Sequence, residues 1–119
     1  MARYHTISFY HAMSGLLYAL RTQPNFVVHL TLSSLVVLAG IFFHISSSEW
    51  IILAWTISIG LCIELLNTAI ETTVDLLTDK YHILAKIAKD TAAAAMLIYA
   101  AGSIVIALLI FLPKLWLYI

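Results

Sequence analysis

The sequence has 119 residues, of which 63% are hydrophobic and 10% are charged, and its mean hydropathy is +1.02. Soluble domains carry about 25% charged residues, and disordered chains are poorer in apolar residues, so both classes are excluded. Six Lys and Arg residues balance six Asp and Glu residues, which leaves no basic surface to attract nucleic acid. The composition therefore predicts an integral membrane protein without a nucleic acid partner.

Three apolar stretches are each long enough to cross a hydrocarbon layer, which takes about 20 helical residues. The predicted fold class is an all-α integral membrane protein with three transmembrane helices, over about residues 25–45, 49–77 and 84–112. A helix over residues 6–22 precedes them; it is apolar on one side and polar on the other, so we expect it to be an amphipathic interfacial helix. The whole chain is predicted to be a single membrane-embedded domain, 1–119.

Local signals mark the ends of the predicted spans. Pro24 suits the first turn of a helix, where its missing N–H would be unpaired in any case. Ser46 and Glu49 have the spacing of a capping box, which predicts the start of the second span. Pro113 is predicted to end the third span, because proline disrupts a helix interior.

The distribution of basic residues predicts the orientation of the chain. The short turn at 46–49 contains no Lys or Arg. The basic residues on the opposite side are Arg3, Arg21, Lys80, Lys86 and Lys89. Because cytoplasmic loops carry an excess of Lys and Arg, we expect the N-terminus and the segment 78–90 to face the cytoplasm.

A polar stripe runs along the second predicted span. Its members are Glu64, Asn67, Thr68, Glu71 and Asp75. At about 100° per residue these five positions lie within about 60° of one direction. Glu64 comes about 22 Å along the helix from Glu49, inside a hydrocarbon layer about 30 Å thick. Glu71 comes about 10 Å further along and is expected to reach the headgroups or the cytosol.

A carboxylate at membrane depth costs on the order of 3 kcal/mol to insert, so partners or a water-filled cleft must offset it. This cost favours a functional role for Glu64, as a proton acceptor near neutral pH. The structural alternative is that the acids join helices through hydrogen bonds, and for Asp75 alone that alternative is favoured. His29 and His44, in or at the end of the first span, are interpreted as buried hydrogen-bonding or interfacial histidines.

Charged residues also open the third span. Lys86, Lys89 and Asp90 lie opposite the wet end of the polar stripe, where cation and acid together suit a polyanion with a metal ion. Lys86 and Asp90 are also spaced as an ordinary helix salt bridge, an explanation that applies less well to Lys89. His82 either contacts a nucleotide or is simply solvated. Any nucleotide site lacks the P-loop, Rossmann and protein-kinase glycine motifs.

Four segments carry a resemblance to a known family. They are GLLYALRTQPNF at 15–26, ELLNTAIETTVD at 64–75, DKYHILAKIAKD at 79–90 and FLPKL at 111–115. The chain closely resembles the prokaryotic diacylglycerol kinase family, most of all its undecaprenol kinase branch. The resemblance implies a multi-pass enzyme of the bacterial plasma membrane, assembled as a homotrimer with shared active sites. It also implies Mg²⁺-dependent transfer of the ATP γ-phosphate to a primary hydroxyl of a lipid, either undecaprenol or diacylglycerol, the latter giving phosphatidic acid.

The resemblance also implies roles for individual residues. Glu64 matches the general base, Asn67 the amide that supports the site, and Glu71 the carboxylate that binds metal and nucleotide. Gln23 stands where many relatives have a second metal-binding Glu, so it either ligates Mg²⁺ or hydrogen-bonds to phosphate or hydrated metal. The positions matching nucleotide contacts are Lys80, Tyr81, His82, Lys89 and Asp90.

Two other functions fit the residues. One is a small proton- or cation-coupled transporter, since a membrane-embedded Glu can bind protons or cations. A transporter would place its key acid nearer the midplane and would not need the group at Lys86, Lys89 and Asp90. The other is a non-catalytic assembly subunit, which the alanine-rich third helix would suit.

Overall fold

The computed structural model describes the backbone of residues 2–117 and the side chains of residues 8–117. The described part contains four α-helices and no strand: α1 (Ala2–Thr22), α2 (Pro24–Phe42), α3 (Ser47–Leu77) and α4 (Ile83–Trp116). The last three are long and apolar enough to cross a membrane, and α1 precedes them. The predicted fold class is thereby confirmed. The side chain of Arg3, which contributed to the predicted orientation, lies outside the described side chains.

A single residue separates α1 from α2. Gln23 is extended, with φ −111° and ψ 101°, because the ring of Pro24 disfavours helical geometry in the residue before it. Pro24 then occupies the start of α2, as its sequence context predicts. Ala19 and Phe26, one on each side of the break, are both buried. The break therefore redirects the chain without separating α1 from the rest of the fold.

Local capping shapes the turn between α2 and α3. His44 has a positive φ of 49°, and the N–H groups of His44 and Ile45 donate to the carbonyls of Ile41 and Gly40 at 3.2 and 3.1 Å. This is the Schellman arrangement that ends many helices, with His44 in the left-handed position usually held by glycine. The predicted capping box at the start of α3 is confirmed, since Ser46 N donates to Glu49 Oε2 at 2.7 Å.

Helix α3 is central, because it packs against each of the other three helices. An apolar cluster joins the start of α3 to the ends of its neighbours, and its buried members are Ile45, Leu53 and Ile110. Beside this cluster, Lys114 Nζ donates to Glu49 Oε1 at 2.7 Å, with each side chain 23% exposed. The same end of the bundle is therefore held by apolar packing and by an ion pair between α3 and α4.

The prediction that Pro113 ends the third span is wrong, because α4 continues through it to Trp116. Proline removes one backbone donor, the one that would bond the carbonyl of Leu109, but the three helical residues that follow it keep their own N–H groups. The pairing of Lys114 with Glu49 also fixes the last turn of α4 against α3. For both reasons α4 continues beyond Pro113.

Close packing between α3 and α4 depends on a glycine. The ring of Tyr99 lies directly over Gly60, where a Cβ atom would collide with the ring carbons and the hydroxyl. The Tyr99 hydroxyl donates to the backbone carbonyl of Thr56, one turn earlier on α3. Gly60 therefore opens the space that lets an aromatic side chain of α4 reach the backbone of α3.

Candidate functional site

The polar side chains of α3 share one face, and their exposure rises along it. Glu64, Asn67 and Thr68 are buried, with 2%, 8% and 5% of their surface exposed. Glu71 is half-buried, and the side chain of Asp75 is 64% exposed. The helical spacing that predicts a single stripe therefore produces a face that runs from the interior of the bundle to its surface.

His29 of α2 approaches the buried end of this face. Its Nε2 atom lies 4.0 Å from Glu64 Oε2, and its side chain is 24% exposed. Interpreting His29 as a buried hydrogen-bonding group did not identify its partner, because spacing within one helix says nothing about the register of its neighbour. The sequence did offer one signal for this contact: His29 on the first span and Glu64 on the second are both ionisable, and ionisable side chains within a membrane tend to pair.

An amide–carboxylate contact continues the face. Asn67 Nδ2 donates to Glu71 Oε1 at 3.1 Å. Among the described side chains, Asn67 Oδ1 is a buried polar atom without a hydrogen-bond partner. Such an atom is costly unless something outside the chain donates to it. The arrangement holds the Glu71 carboxylate in place and leaves a buried acceptor beside it.

The turn between α3 and α4 forms a polar hollow of about 650 Å³, here called the turn pocket. It brings together four of the five residues that match nucleotide contacts. Its lining residues are Val74, Asp75, Thr78, Asp79, Lys80, Tyr81, His82, Ala85, Lys86 and Lys89. Asp90 is not part of this lining. The turn pocket begins one helical turn beyond Glu71, so it adjoins the wet end of the polar face.

Local hydrogen bonds shape the turn pocket. Lys80 N donates to Thr78 Oγ1 at 3.2 Å, and the Thr78 hydroxyl donates to the Lys80 carbonyl at 3.1 Å. His82 caps α4, because its Nδ1 accepts from Leu84 N at 3.2 Å. That bond orients the imidazole at the start of α4 and leaves its Nε2 atom available to a ligand.

Two ion pairs border the turn pocket. Lys89 Nζ donates to Asp75 Oδ1 at 2.5 Å, which links α4 to the end of the polar face. Lys86 pairs with Asp90 within α4, as their spacing predicts. Lys89 therefore already bridges to the acidic helix, whereas the Lys86–Asp90 pair has the geometry of an ordinary helix salt bridge.

Gln23 lies at the height of Glu71 along the bundle. Helices α2 and α3 run in opposite directions, and the contact between His29 and Glu64 fixes their register. Gln23 precedes His29 by six residues, and Glu71 follows Glu64 by seven. At 1.5 Å per residue, both are therefore about 10 Å from that contact on the same side.

The donor set near Glu71 suits a metal ion bound mainly through phosphates. In residues 8–117 no group of three or more His, Cys, Asp and Glu side chains could hold a metal ion alone. Mg²⁺ usually takes one or two carboxylates together with substrate phosphates and waters, and does not need an all-protein cage. Glu71, steadied by Asn67, could supply one such carboxylate. The side-chain oxygen of Gln23 could supply a second, neutral oxygen ligand.

An apolar cleft of about 210 Å³ lies between α2 and α4 over the face of α3, and we call it the α2–α4 cleft. His29 is the lining residue nearest in height to Glu64. From there the cleft extends toward the end of the bundle that carries Glu49. Its lining residues are His29, Leu32, Ser33, Val36, Leu53, Thr56, Ile57, Tyr99, Ser103, Ile104, Ile106 and Ala107. The cleft thus leads from the apolar middle of the bundle toward the buried acid.

The fold and the site together define an all-α membrane protein whose polar face on α3 leads from a buried carboxylate to a pocket lined by lysines and aspartates. The family model for prokaryotic diacylglycerol kinase matches residues 10–111. Undecaprenol kinase from Bacillus subtilis (strain 168) is 49% identical over 108 residues, which are 91% of this chain and 88% of that protein. Diacylglycerol kinase from Synechocystis sp. is 40% identical over 110 residues, 92% of this chain and 63% of that protein.

The chain belongs to the prokaryotic diacylglycerol kinase family. The prediction of an ATP-using membrane lipid kinase is thereby confirmed, and nothing in the comparisons favours a transporter. The matched range, residues 10–111, spans the polar face and the turn pocket.

Proposed function

We propose that this protein transfers the γ-phosphate of Mg·ATP to the primary hydroxyl of undecaprenol at the cytoplasmic surface of the bacterial plasma membrane. The observation that carries the proposal is the polar face of α3, which has a carboxylate buried at 2% exposure at one end and reaches the turn pocket at the other. A lipid alcohol and a nucleotide require those two environments.

Each end of the face has a distinct task in this proposal. Glu64 accepts the proton of the lipid hydroxyl as that oxygen attacks the γ-phosphorus. Glu71, held by Asn67, binds the metal together with the phosphates, and Gln23 contributes from the same height. When bound there, Mg²⁺ would neutralise the negative charge that develops on the phosphates during transfer.

The nucleotide lies in the turn pocket in this proposal. Lys89 supplies a mobile positive charge to the phosphates by exchanging its contact with Asp75 for a contact with ATP. Asp90 approaches the nucleotide from the next position on α4. Lys80, Tyr81 and His82 contact it from the turn, where His82 is oriented by its bond to Leu84 N.

The lipid approaches Glu64 through the α2–α4 cleft. The cleft is lined mainly by aliphatic side chains, and the hydroxyls of Thr56, Tyr99 and Ser103 in its wall already donate to backbone carbonyls. A polyprenol carries one hydroxyl on a hydrocarbon chain, whereas diacylglycerol adds ester oxygens that lose hydrogen bonds to water on burial. This difference favours undecaprenol, as does the 49% identity to a protein named undecaprenol kinase.

A homotrimer completes the site in this proposal. Most large apolar side chains of α3 and α4 are exposed in the single chain, among them Leu66, Leu97 and Ile98. The buried Asn67 Oδ1 has no donor within the described side chains. A neighbouring subunit would cover the apolar surface and bring further polar groups to the polar face.

The direct test supplies purified protein with Mg²⁺, γ-labelled ATP and each lipid alcohol in mixed micelles. We expect labelled undecaprenyl phosphate, with kcat/KM at least tenfold above that for diacylglycerol. Equal or greater efficiency with diacylglycerol would overturn the choice of acceptor. Absence of label from both lipids would overturn the lipid kinase proposal itself.

A further inference from the structure

His29 stands between the α2–α4 cleft and the buried acid. Its Nε2 atom lies 4.0 Å from Glu64 Oε2, and its ring lines the cleft. Among the described residues, His29 is the only His, Lys or Arg with a side-chain nitrogen within 4.0 Å of the Glu64 carboxylate. A lipid lying in the α2–α4 cleft would therefore contact the imidazole of His29 close to the carboxylate of Glu64.

We propose that His29 is a positioning residue for the transfer reaction, an inference that rests on the proposed function. Its Nε2–H group holds one carboxylate oxygen of Glu64, so that the other oxygen faces the acceptor hydroxyl. The separation of 4.0 Å exceeds the 2.7–3.2 Å or so of a hydrogen bond, and a small change in either side-chain torsion closes it.

The need for such a partner follows from the chemistry of the step. The hydroxyl oxygen forms a bond to the γ-phosphorus, its proton passes to Glu64, and the bond from that phosphorus to the β–γ bridging oxygen breaks to release ADP. A Glu side chain has three rotatable torsions, and a misplacement of about 1 Å can reduce a rate about 100-fold. His29 fixes the carboxylate from a second helix and exchanges no proton itself.

The height of His29 separates this role from binding of the nucleotide. His29 lies about 10 Å from the level of Gln23 and Glu71, toward the apolar middle of the bundle. Its loss should therefore lower kcat while leaving the KM for Mg·ATP unchanged. A residue that merely supported the fold would alter both, together with the thermal midpoint.

The test compares His29→Leu, His29→Gln and the control His44→Asn in the full-length protein. Gln can place a donor near the Nε2 position of the imidazole, whereas Leu cannot donate. His44 is exposed at the other end of α2, and Asn tolerates its positive φ. We expect Leu to lower kcat about 10- to 100-fold, Gln to stay within about fivefold of wild type, and the control to match wild type.

A second arm removes the group that His29 is proposed to position. In a Glu64→Gln background, His29→Leu should cause no further loss of the residual label transfer, because coupled residues are not additive. A further loss there would overturn the proposal, as would equal losses in Leu and Gln or a Leu variant within twofold of wild type. Should the Leu variant fail to fold, His29→Phe, which keeps a planar ring but cannot donate a hydrogen bond, takes its place under the same criteria.

The outcome also separates this inference from the proposed function. An active wild type whose rate is unaffected by His29→Leu overturns the role of His29 alone. A wild type that labels neither lipid overturns the proposed function, and this inference with it.

Discussion

Lys89 Nζ lies 2.5 Å from Asp75 Oδ1, so the cation proposed to contact ATP phosphates is already paired with the last acid of the polar face. The two side chains are 39% and 64% exposed, and exposed ion pairs contribute at most about 1 kcal/mol to stability. The contact therefore orients Lys89, and breaking it costs little free energy. This suits a side chain that is proposed to exchange Asp75 for the nucleotide.

We expect Lys89→Met to raise the KM for Mg·ATP about tenfold or more, because a charge-assisted contact to phosphate is lost. The thermal midpoint should change by no more than a few degrees, since the lost pair is exposed. Lys86→Met is the comparison on the same helix: Lys86 also lines the turn pocket, but its partner is the helix neighbour Asp90, so its KM should rise less than that of Lys89→Met. Steady-state kinetics that rank the two variants in the opposite order would contradict the proposed role of Lys89.

Gln23→Glu should lower the Mg²⁺ concentration at half-maximal rate severalfold. Gln23 and Glu71 lie at the same height, and a second carboxylate strengthens a site that Mg²⁺ otherwise shares with phosphates and waters. The measurement is a Mg²⁺ titration at fixed ATP, with Asn25→Asp as a control for added negative charge close by. An equal shift in both variants would assign the effect to surface charge, and no shift in Gln23→Glu would remove position 23 from the metal site.

Gly60→Ala should destabilise the protein by about 1–3 kcal/mol, because the added methyl group collides with the ring of Tyr99. Thermal unfolding in detergent measures the effect. Gly15→Ala is the control, since a Cβ atom added at Gly15 would have no heavy atom of a neighbouring part of the described chain within 4 Å. Ala is also the better helix former, so that variant should be as stable as wild type or slightly more so. Equal stability of the two variants would contradict the close packing of α3 on α4.

Hydropathy and local chemistry were enough to predict the helices. Long apolar runs fix three spans because backbone polar groups in a membrane must be satisfied within each helix. The capping box at Ser46 and the start at Pro24 follow equally from local geometry. The prediction that Pro113 ends the third span was wrong because the end of α4 is also fixed by the ion pair of Lys114 with Glu49, which lies 65 residues away in the sequence.

The candidate site, too, could be predicted from the sequence only in part. Helical periodicity predicts the polar face of α3, since its residues share one helix. Contacts between helices depend on register and rotation, which periodicity does not encode. The pairing of His29 with Glu64, the bridge from Lys89 to Asp75 and the fit of Tyr99 over Gly60 are all of this kind.

The most direct test of the account is the steady-state kinetics of Glu64→Gln with undecaprenol and Mg·ATP. We expect kcat to fall about 100- to 10,000-fold, because Gln cannot accept the hydroxyl proton, while the KM for Mg·ATP stays within about twofold. The same variant should remain folded, since Gln nearly preserves the volume of the side chain. A Glu64→Gln protein that turns over at a rate close to wild type would contradict the assignment of the buried carboxylate as the base.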